Sequence, residues 1–474
     1  MLPTRTFDTF SGRLVLVGFG SLGQGVLPLV FRHFGVQPEQ VTVVTADTQG
    51  AEIADALRIR VLIQPLTPEN YEAVLTPLLG AGDVLLNVSV HVSSVDLIRL
   101  CWKRGALYLD ACIEPWAGRY DDRNLPLQQR TNYALREEVL ALSRQGRRAP
   151  TACVTQGANP GLVSLFVKRA LLRMAADLGL SAPMPATDSE WARLAQRLEV
   201  KVIHIAERDT QVAAGRRKVR GEFVNTWSVD GFVDEGLQPS ELGWGSHERH
   251  WPRDAERHGQ GCGAAIYLRR PGFATRVRSW TPLEGPFVGF LVTHGESISI
   301  ADHLTLRDDS GAVSYRPTVH YAYHPCDDAV LSLHELAGRE WRLQPAMRIQ
   351  RDEITAGMDE LGVLLMGNPR GVYWYGSRLS IQRARELAPY NSATSLQVVA
   401  GLAGAMLWAL RNPNAGIVEA EDIDVETVME LAEPYLGDVV GVWGDWTPLA
   451  GRRELYPEPA DPSDPWQFIN FRVD

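Results

Sequence analysis

Apolar positions in the first third of the chain fall into short continuous runs separated by stretches of helical period. The runs are RLVLVGFG (13–20), QVTVVTAD (40–47), IRVLIQPL (59–66), DVLLNVSV (83–90) and GALYLDACIE (105–114). Runs of this length without polar alternation predict strands covered on both faces, as in a parallel sheet. Between them, SSVDLIRLCWKRG (93–105) carries an apolar stripe closed by a glycine, and LQQRTNYALREEVLALSRQG (127–146) a longer amphipathic one; both predict helices. TACVTQGANPG (151–161) predicts a last strand running into a loop. The whole is the pattern of a Rossmann-type, doubly wound α/β sheet.

From about 200 to 350 the chain turns to longer β-rich segments: EVKVIHIAERDT, RRKVRGEFVNTWSV and PFVGFLVTHGESISIADHLTL. They predict a second, α+β domain on a mixed or antiparallel sheet. After 390, NSATSLQVVAGLAGAMLWAL is helical again, with Asn391 or Ser392 as its cap. Such a helix returns to the first domain and closes its sheet, and YPEPADPSDPW (456–466) follows as an acidic, proline-rich surface tail. The expected organisation is a Rossmann-type domain over 1–160, a second domain over 161–388, and the returning helix and tail over 389–474.

A chain of 474 residues exceeds one ordinary core, in keeping with that division. With 57 acids against 47 bases the net charge is -10, which disfavours nucleic acid as a partner. The five cysteines (101, 112, 153, 262, 326) are isolated and never spaced C-x-x-C, as expected of a reduced cytoplasmic protein. No secretory signal pattern opens the chain. The strongest apolar run, LQVVAGLAGAMLWAL (396–410), is short for a bilayer span, so a buried helix and no membrane are expected. HERH (247–250) with His258 lacks the spacing and the companions of a zinc site, so no metal is expected.

Gly18-Phe19-Gly20-Ser21-Leu22-Gly23 has the G-x-G-x-x-G spacing directly after an apolar strand and at the opening of an amphipathic segment. The hexapeptide alone is weak, because a simple tight turn uses the same glycines. Its context is the one a dinucleotide needs, with the pyrophosphate on free N–H groups at the helix N-terminus. Asp47 ends the second strand, where an acid binds a ribose 2′-hydroxyl, and no base follows it until Arg58. NAD is expected rather than NADP.

Hydride chemistry belongs at the carboxyl ends of the strands. There the sequence offers Asn87, Ser89 and His91, which taken singly read as turn or cap residues, then Glu114 beside a tryptophan, and Asn159 in an irregular Asn-Pro-Gly turn. The second domain adds Glu207, then Trp227 with Asp230, Asp234 and Glu235, then His294 with Glu296, and Asp359 with Glu360. Residues 221–248 hold six carboxylates and no lysine or arginine. A solvated acidic face is the plain explanation. The alternative is a cation site with an aromatic for stacking, since an amino-acid substrate would require an arginine for its carboxylate.

On the stretches GFGSLGQG, DACIEPW, GANPGLVS, NTWSVDGFVDE, THGESISI and NSATSLQVV, the chain resembles the bacterial homospermidine synthases, NAD-dependent enzymes of the saccharopine dehydrogenase group, over essentially its full length. The resemblance implies catalytic-site roles for Glu114, Asn159, Glu207, Trp227, Glu235, His294 and Asp359. It implies a cofactor site of Gly18, Gly20, Ser21, Leu22, Gly23, Asp47, Asn159 and Thr394. It further implies a homodimer that oxidises putrescine to an imine, releases ammonia, and captures a second putrescine as a Schiff base for reduction by the same NADH.

The acids suit that chemistry. An alkylammonium has a pKa of roughly 10, so the reacting amine must lose a proton while the distal one stays charged. One set of carboxylates anchors the cation while another, or His294, acts as base. The face of Trp227 holds the iminium. Two other readings predict differently: a net dehydrogenase of the saccharopine type would accumulate NADH and place a base near the nicotinamide, and an NAD-binding regulator would not need Trp227.

Overall fold

The computed structural model describes residues 5–473 apart from 121, 123, 144–147, 182 and 453. The five apolar runs of the first third form β1 (Leu14–Val17), β2 (Val41–Thr45), β3 (Arg60–Ile63), β4 (Val84–Asn87) and β5 (Leu107–Asp110). With β6 (Ala152–Cys153) and the short strand Ile417–Val418 they make one parallel sheet in the order 3-2-1-4-5-6 followed by Ile417–Val418. This is the Rossmann order expected from the sequence, and its switch point lies between β1 and β4.

Each strand stops several residues before its apolar run does. After Val17, Thr45, Asn87 and Asp110 the backbone turns into loops that carry the residues lining the site. The segment predicted as one helix over 127–146 is a 3-10 turn (Leu127–Gln129) and a separate helix, Asn132–Ser143; its predicted end at 144–146 lies outside the described residues. Glu241 explains the break. Its carboxylate accepts hydrogen bonds from the Asn132 and Tyr133 amides and so caps the second helix from another domain.

The second sheet has eleven strands among the described residues and is mixed, as expected. Its centre is β7 (Val202–Asp209), parallel to β8 (Thr318–His324) and antiparallel to β9 (Met358–Met366), which in turn pairs antiparallel with β10 (Val372–Ser380). Opposed residues share a face of a sheet. Glu207 lies opposite Tyr323 and Leu361, and Asp209 opposite Asp359. Glu207, Asp209, Asp359, Tyr321 and Tyr323 therefore project from one side, toward the Rossmann loops.

One segment grouped with the β-rich pattern is a helix instead, and another helix begins where the run RRKVRGEFVNTWSV ends. TWSVDGFVDEGL contains the helix Val229–Leu237, whose Ser228 hydroxyl accepts from the Gly231 amide, and ESISIADH is the helix Glu296–His303. Val229, Phe232 and Val233 pack into the main core, and that burial overrides the weak helix propensity of the valines and glycines.

The apolar segment after 390 is the helix Ala393–Arg411, buried along most of its length and capped by Ser392 rather than Asn391. Asn391 instead donates its amide to the Gly25 carbonyl of the first helix, Ser21–His33. The long helix packs on that helix and leads into the seventh strand of the Rossmann sheet. The tail departs from expectation at its end: Tyr456 is exposed, but Trp466, Phe468 and Phe471 are buried, and Arg472–Val473 pairs with Arg276–Val277 of the second sheet.

Candidate active site

A cavity of about 490 Å³ opens between the carboxyl ends of β1, β2, β4 and β5 and the acidic face of the second sheet. At one end the glycine motif divides three tasks. Gly18 has φ +92°, and a Cβ there would stand 2.8 Å from the Ser89 amide, so the tight turn needs glycine. A Cβ at Gly20 would meet nothing within 4 Å, leaving open space over the first turn of the helix, whose N-cap position carries no side-chain hydrogen bond. A Cβ at Gly23 would lie 2.5 Å from the Gly18 carbonyl oxygen, so helix and strand meet there backbone to backbone.

The Ser21 hydroxyl is buried and unpartnered at the same place, and Leu22 lines the wall beside it. Free amides, open space and an unused hydroxyl fit a pyrophosphate. Asp47 follows β2, exposed and on the cavity wall, with one carboxylate oxygen accepting from the Gln49 amide. A ribose diol suits such a carboxylate, and a 2′-phosphate would be repelled by it.

The middle of the cavity gathers the predicted chemistry. Glu114, Asn159, Glu207, Trp227, Glu235, His294 and Thr394 all line it. Gly23 and Asp359 do not. Asp359 stands one layer back, accepting a hydrogen bond from the Thr394 hydroxyl, with its other oxygen buried and unpartnered. The Asn159 side-chain amide donates to Glu207 Oε2 at 2.7 Å and to the Tyr321 hydroxyl at 2.8 Å, and that hydroxyl donates in turn to Glu207. Trp227 donates its indole N–H to the Tyr323 hydroxyl at 3.2 Å and rests on Phe232, 5.4 Å between rings.

Burial governs the acids. Desolvation pushes Glu207 up to about 7 against the donors Tyr321 and Asn159, and pushes Glu114 up to about 8 against the His91 amide, which donates to it at 3.2 Å. Asp209 and Asp359 are also raised, chiefly by burial; at Asp359 the neighbouring Glu207 and Asp209 add to it. The cluster resists carrying every negative charge at once when no cation is bound.

His294, offered by the sequence as one of two alternatives for the base, sits between two carboxylates. Its Nε2 lies 3.2 Å from Glu235 and its Nδ1 3.2 Å from Glu296. Although burial opposes the charged ring, the two carboxylates raise it to about 10, which favours the protonated, donating form.

The six carboxylates of 221–248 divide. Asp230 and Glu235 line the cavity. Asp234 meets His91 Nε2 at 2.7 Å across the domains. Glu222 pairs with Arg216 and Arg348, while Glu241 caps a helix and Glu248 accepts from Thr318 and Phe468; these three are structural. Asn87 and Ser89 hydrogen-bond to each other beside the glycine turn, and His91, read as a turn residue, does adopt φ +63° but also carries the contact to Asp234. Tyr321 and Tyr323, stacked 5.2 Å apart, were not singled out from the sequence. Only the register of β8 against β7 reveals them. Among the described residues no group of three or more histidine, cysteine, aspartate or glutamate side chains is arranged to hold a metal.

Comparison with known proteins agrees with this architecture. The saccharopine dehydrogenase NADP binding domain family matches residues 14–154, and the saccharopine dehydrogenase C-terminal domain family residues 157–445. The chain is 53% identical over 470 residues to a homospermidine synthase of Blastochloris viridis, with 98% of each chain covered. It is 48% identical over 473 residues to one of Mesorhizobium japonicum, covering 98% of this chain and 97% of that one. The homospermidine synthase of Legionella pneumophila, solved in complex with NAD, superposes with a TM-score of 0.93 at 51% identity over 100% of both chains.

Proposed function

Because the chain belongs to the homospermidine synthase family, we propose that its cavity joins two putrescine molecules into homospermidine and ammonia. The protein is an NAD-dependent enzyme transferring an aminobutyl group. The observation that carries the choice of substrate is the make-up of the wall. Glu114, Glu207, Asp230, Glu235 and Trp227 line it, with no lysine or arginine among the described lining residues. A diamine offers cations and no anion. An amino acid would leave its carboxylate facing these acids without a guanidinium to bind it.

Bound NAD takes a hydride from the carbon beside one putrescine amine and returns it to the carbon of the later Schiff base, ending unchanged. The residues handle protons and cations. The reacting ammonium must first lose a proton, and Glu207 and Glu114, both held near neutrality by burial, are matched to take it. Trp227 presents its face to the iminium left after hydride loss. When the second amine adds to that carbon, a protonated Glu207 or Glu114 returns a proton to the departing nitrogen, and the carbon–nitrogen bond breaks to release ammonia. His294 keeps Glu235 in place from the far side as a carboxylate for the distal ammonium. Asp47, Ser21 and the open space at Gly20 hold the cofactor, with Asn159 and Thr394 on the wall nearer the acids.

The same reading includes a homodimer in the cytoplasm, polyamines besides putrescine as substrates, and domain limits at 160 and 388. The test is to incubate the protein with putrescine and NAD and follow homospermidine by mass spectrometry, with ammonia and NADH. Triamine and ammonia in equal amounts with no net NADH are expected; NADH accumulating without triamine would sink the reading.

Two smaller effects follow from the same wall. Trp227→Ala should retain NAD and lose about 10- to 30-fold in kcat/KM, the equivalent of a cation–π contact of up to about 2 kcal/mol, with Trp227→Phe losing less. Equal losses in both would remove the cation–π role. Putrescine binding at pH 7 should also release protons from the raised acids, seen as a dependence of the calorimetric binding heat on the ionisation enthalpy of the buffer. A heat independent of buffer would contradict the shared charge of the cluster.

A further inference from the structure

Glu296 is not among the residues to which the family resemblance gave a role. It is the first residue of the helix Glu296–His303, is 1% exposed, and turns its side chain back to the ring two residues earlier. Its Oε1 is 3.2 Å from His294 Nδ1, and its Oε2 is buried with no hydrogen-bond partner among the described residues. No lysine or arginine is paired with it among the ion pairs of the described residues, so His294 is the cation it faces.

Among the described residues, four groups face the His294 ring. Glu235 comes from the helix Val229–Leu237, and Glu296 from its own segment. Tyr321 of β8 lies tilted at 4.4 Å between rings, and Glu207 of β7 is close enough for its charge to be eased by the imidazolium. The two carboxylates in contact with the ring differ in one respect: Glu235 lines the cavity and Glu296 does not. An incoming ammonium therefore competes with His294 for Glu235 and has no access to Glu296.

We infer that Glu296 is a positioning residue that keeps His294 charged while substrate occupies Glu235, and so fixes the Nε2–H that holds Glu235 in one orientation. This rests on the reading above of His294 and Glu235 as parts of the site. Without Glu296, each diamine that engages Glu235 would draw away the remaining counter-charge of a buried ring, and the ring would lose its proton into the site.

The test is the titration of the His294 ring by NMR in histidine-labelled, NAD-loaded protein, its signal identified by its loss in His294→Asn. In the wild type the ring should stay protonated through pH 8. In Glu296→Gln its midpoint should fall by about one unit or more, as expected for loss of one adjacent opposite charge. The basic limb of kcat/KM for putrescine should fall with it, and Glu296→Asp should restore part of both. A Glu296→Gln midpoint equal to that of the wild type would overturn the inference, and so would a wild-type ring already neutral at pH 8, which settles the matter even if Glu296→Gln does not fold. The NMR titration needs no turnover. An unmoved midpoint strikes at Glu296 alone, whereas missing triamine in the wild type strikes at the proposed function.

Discussion

Glu207→Gln is expected to lower kcat for homospermidine formation by about 10²- to 10⁴-fold, the usual worth of a positioned proton-transfer group, while NAD binding is retained. Glutamine preserves the shape and can still accept from one of the two donors, Asn159 or Tyr321, that meet at Glu207 Oε2. It cannot take a proton. Glu207 is buried, with Asp209 and Asp359 raised beside it, so a neutral isostere relieves charge repulsion and the melting temperature should hold or rise. Loss of turnover without loss of stability separates proton transfer from scaffolding.

The pH profile gives the sign. Burial raises Glu207 to about 7, so its basic form grows as pH rises through that value, and wild-type kcat should climb across the same window. The residual activity of Glu207→Gln should lack that limb. A fall of less than about tenfold in kcat, or an unchanged limb, would move proton transfer to Glu114, which is raised to about 8.

Much of this site was legible in the sequence because it is local. The glycine motif, Asp47 and the apolar runs need only spacing and period, and the structure places them in the Rossmann order around the cavity. The acidic stretch was legible as composition but not as shape. Val229, Gly231, Val233 and Gly236 look poor for a helix, and only the Ser228 cap and the burial of Phe232 make them one. What could not be read is whatever depends on residues distant in the chain. Glu235 and Glu296 reach His294 from either side of its ring, the former across 59 positions, and both raise its affinity for a proton. Tyr321 earns its place only through strand pairing, and Glu241 only by capping a helix 109 positions away.

The glycine motif leads to the other large effect. Gly20→Val should weaken NAD binding by at least about 100-fold, about 2.7 kcal/mol, and leave the cofactor-free protein as stable as the wild type. Gly20 has φ -77°, which a β-branched residue tolerates, and its added Cβ would meet no atom within 4 Å. The side chain would fill space that is open in the protein alone and needed by a pyrophosphate approaching the free amides of Ser21–His33. Gly23→Ala should behave in the opposite way. Its Cβ would press to 2.5 Å from the Gly18 carbonyl oxygen, a backbone atom that cannot swing aside, so the cost falls on the fold, at about 1–3 kcal/mol for overpacking. Fluorescence titration with NAD and thermal melts of the cofactor-free proteins distinguish the two. If Gly20→Val binds NAD within about tenfold of the wild type, the pyrophosphate does not cross that space, because a clash there costs far more than about 1.4 kcal/mol.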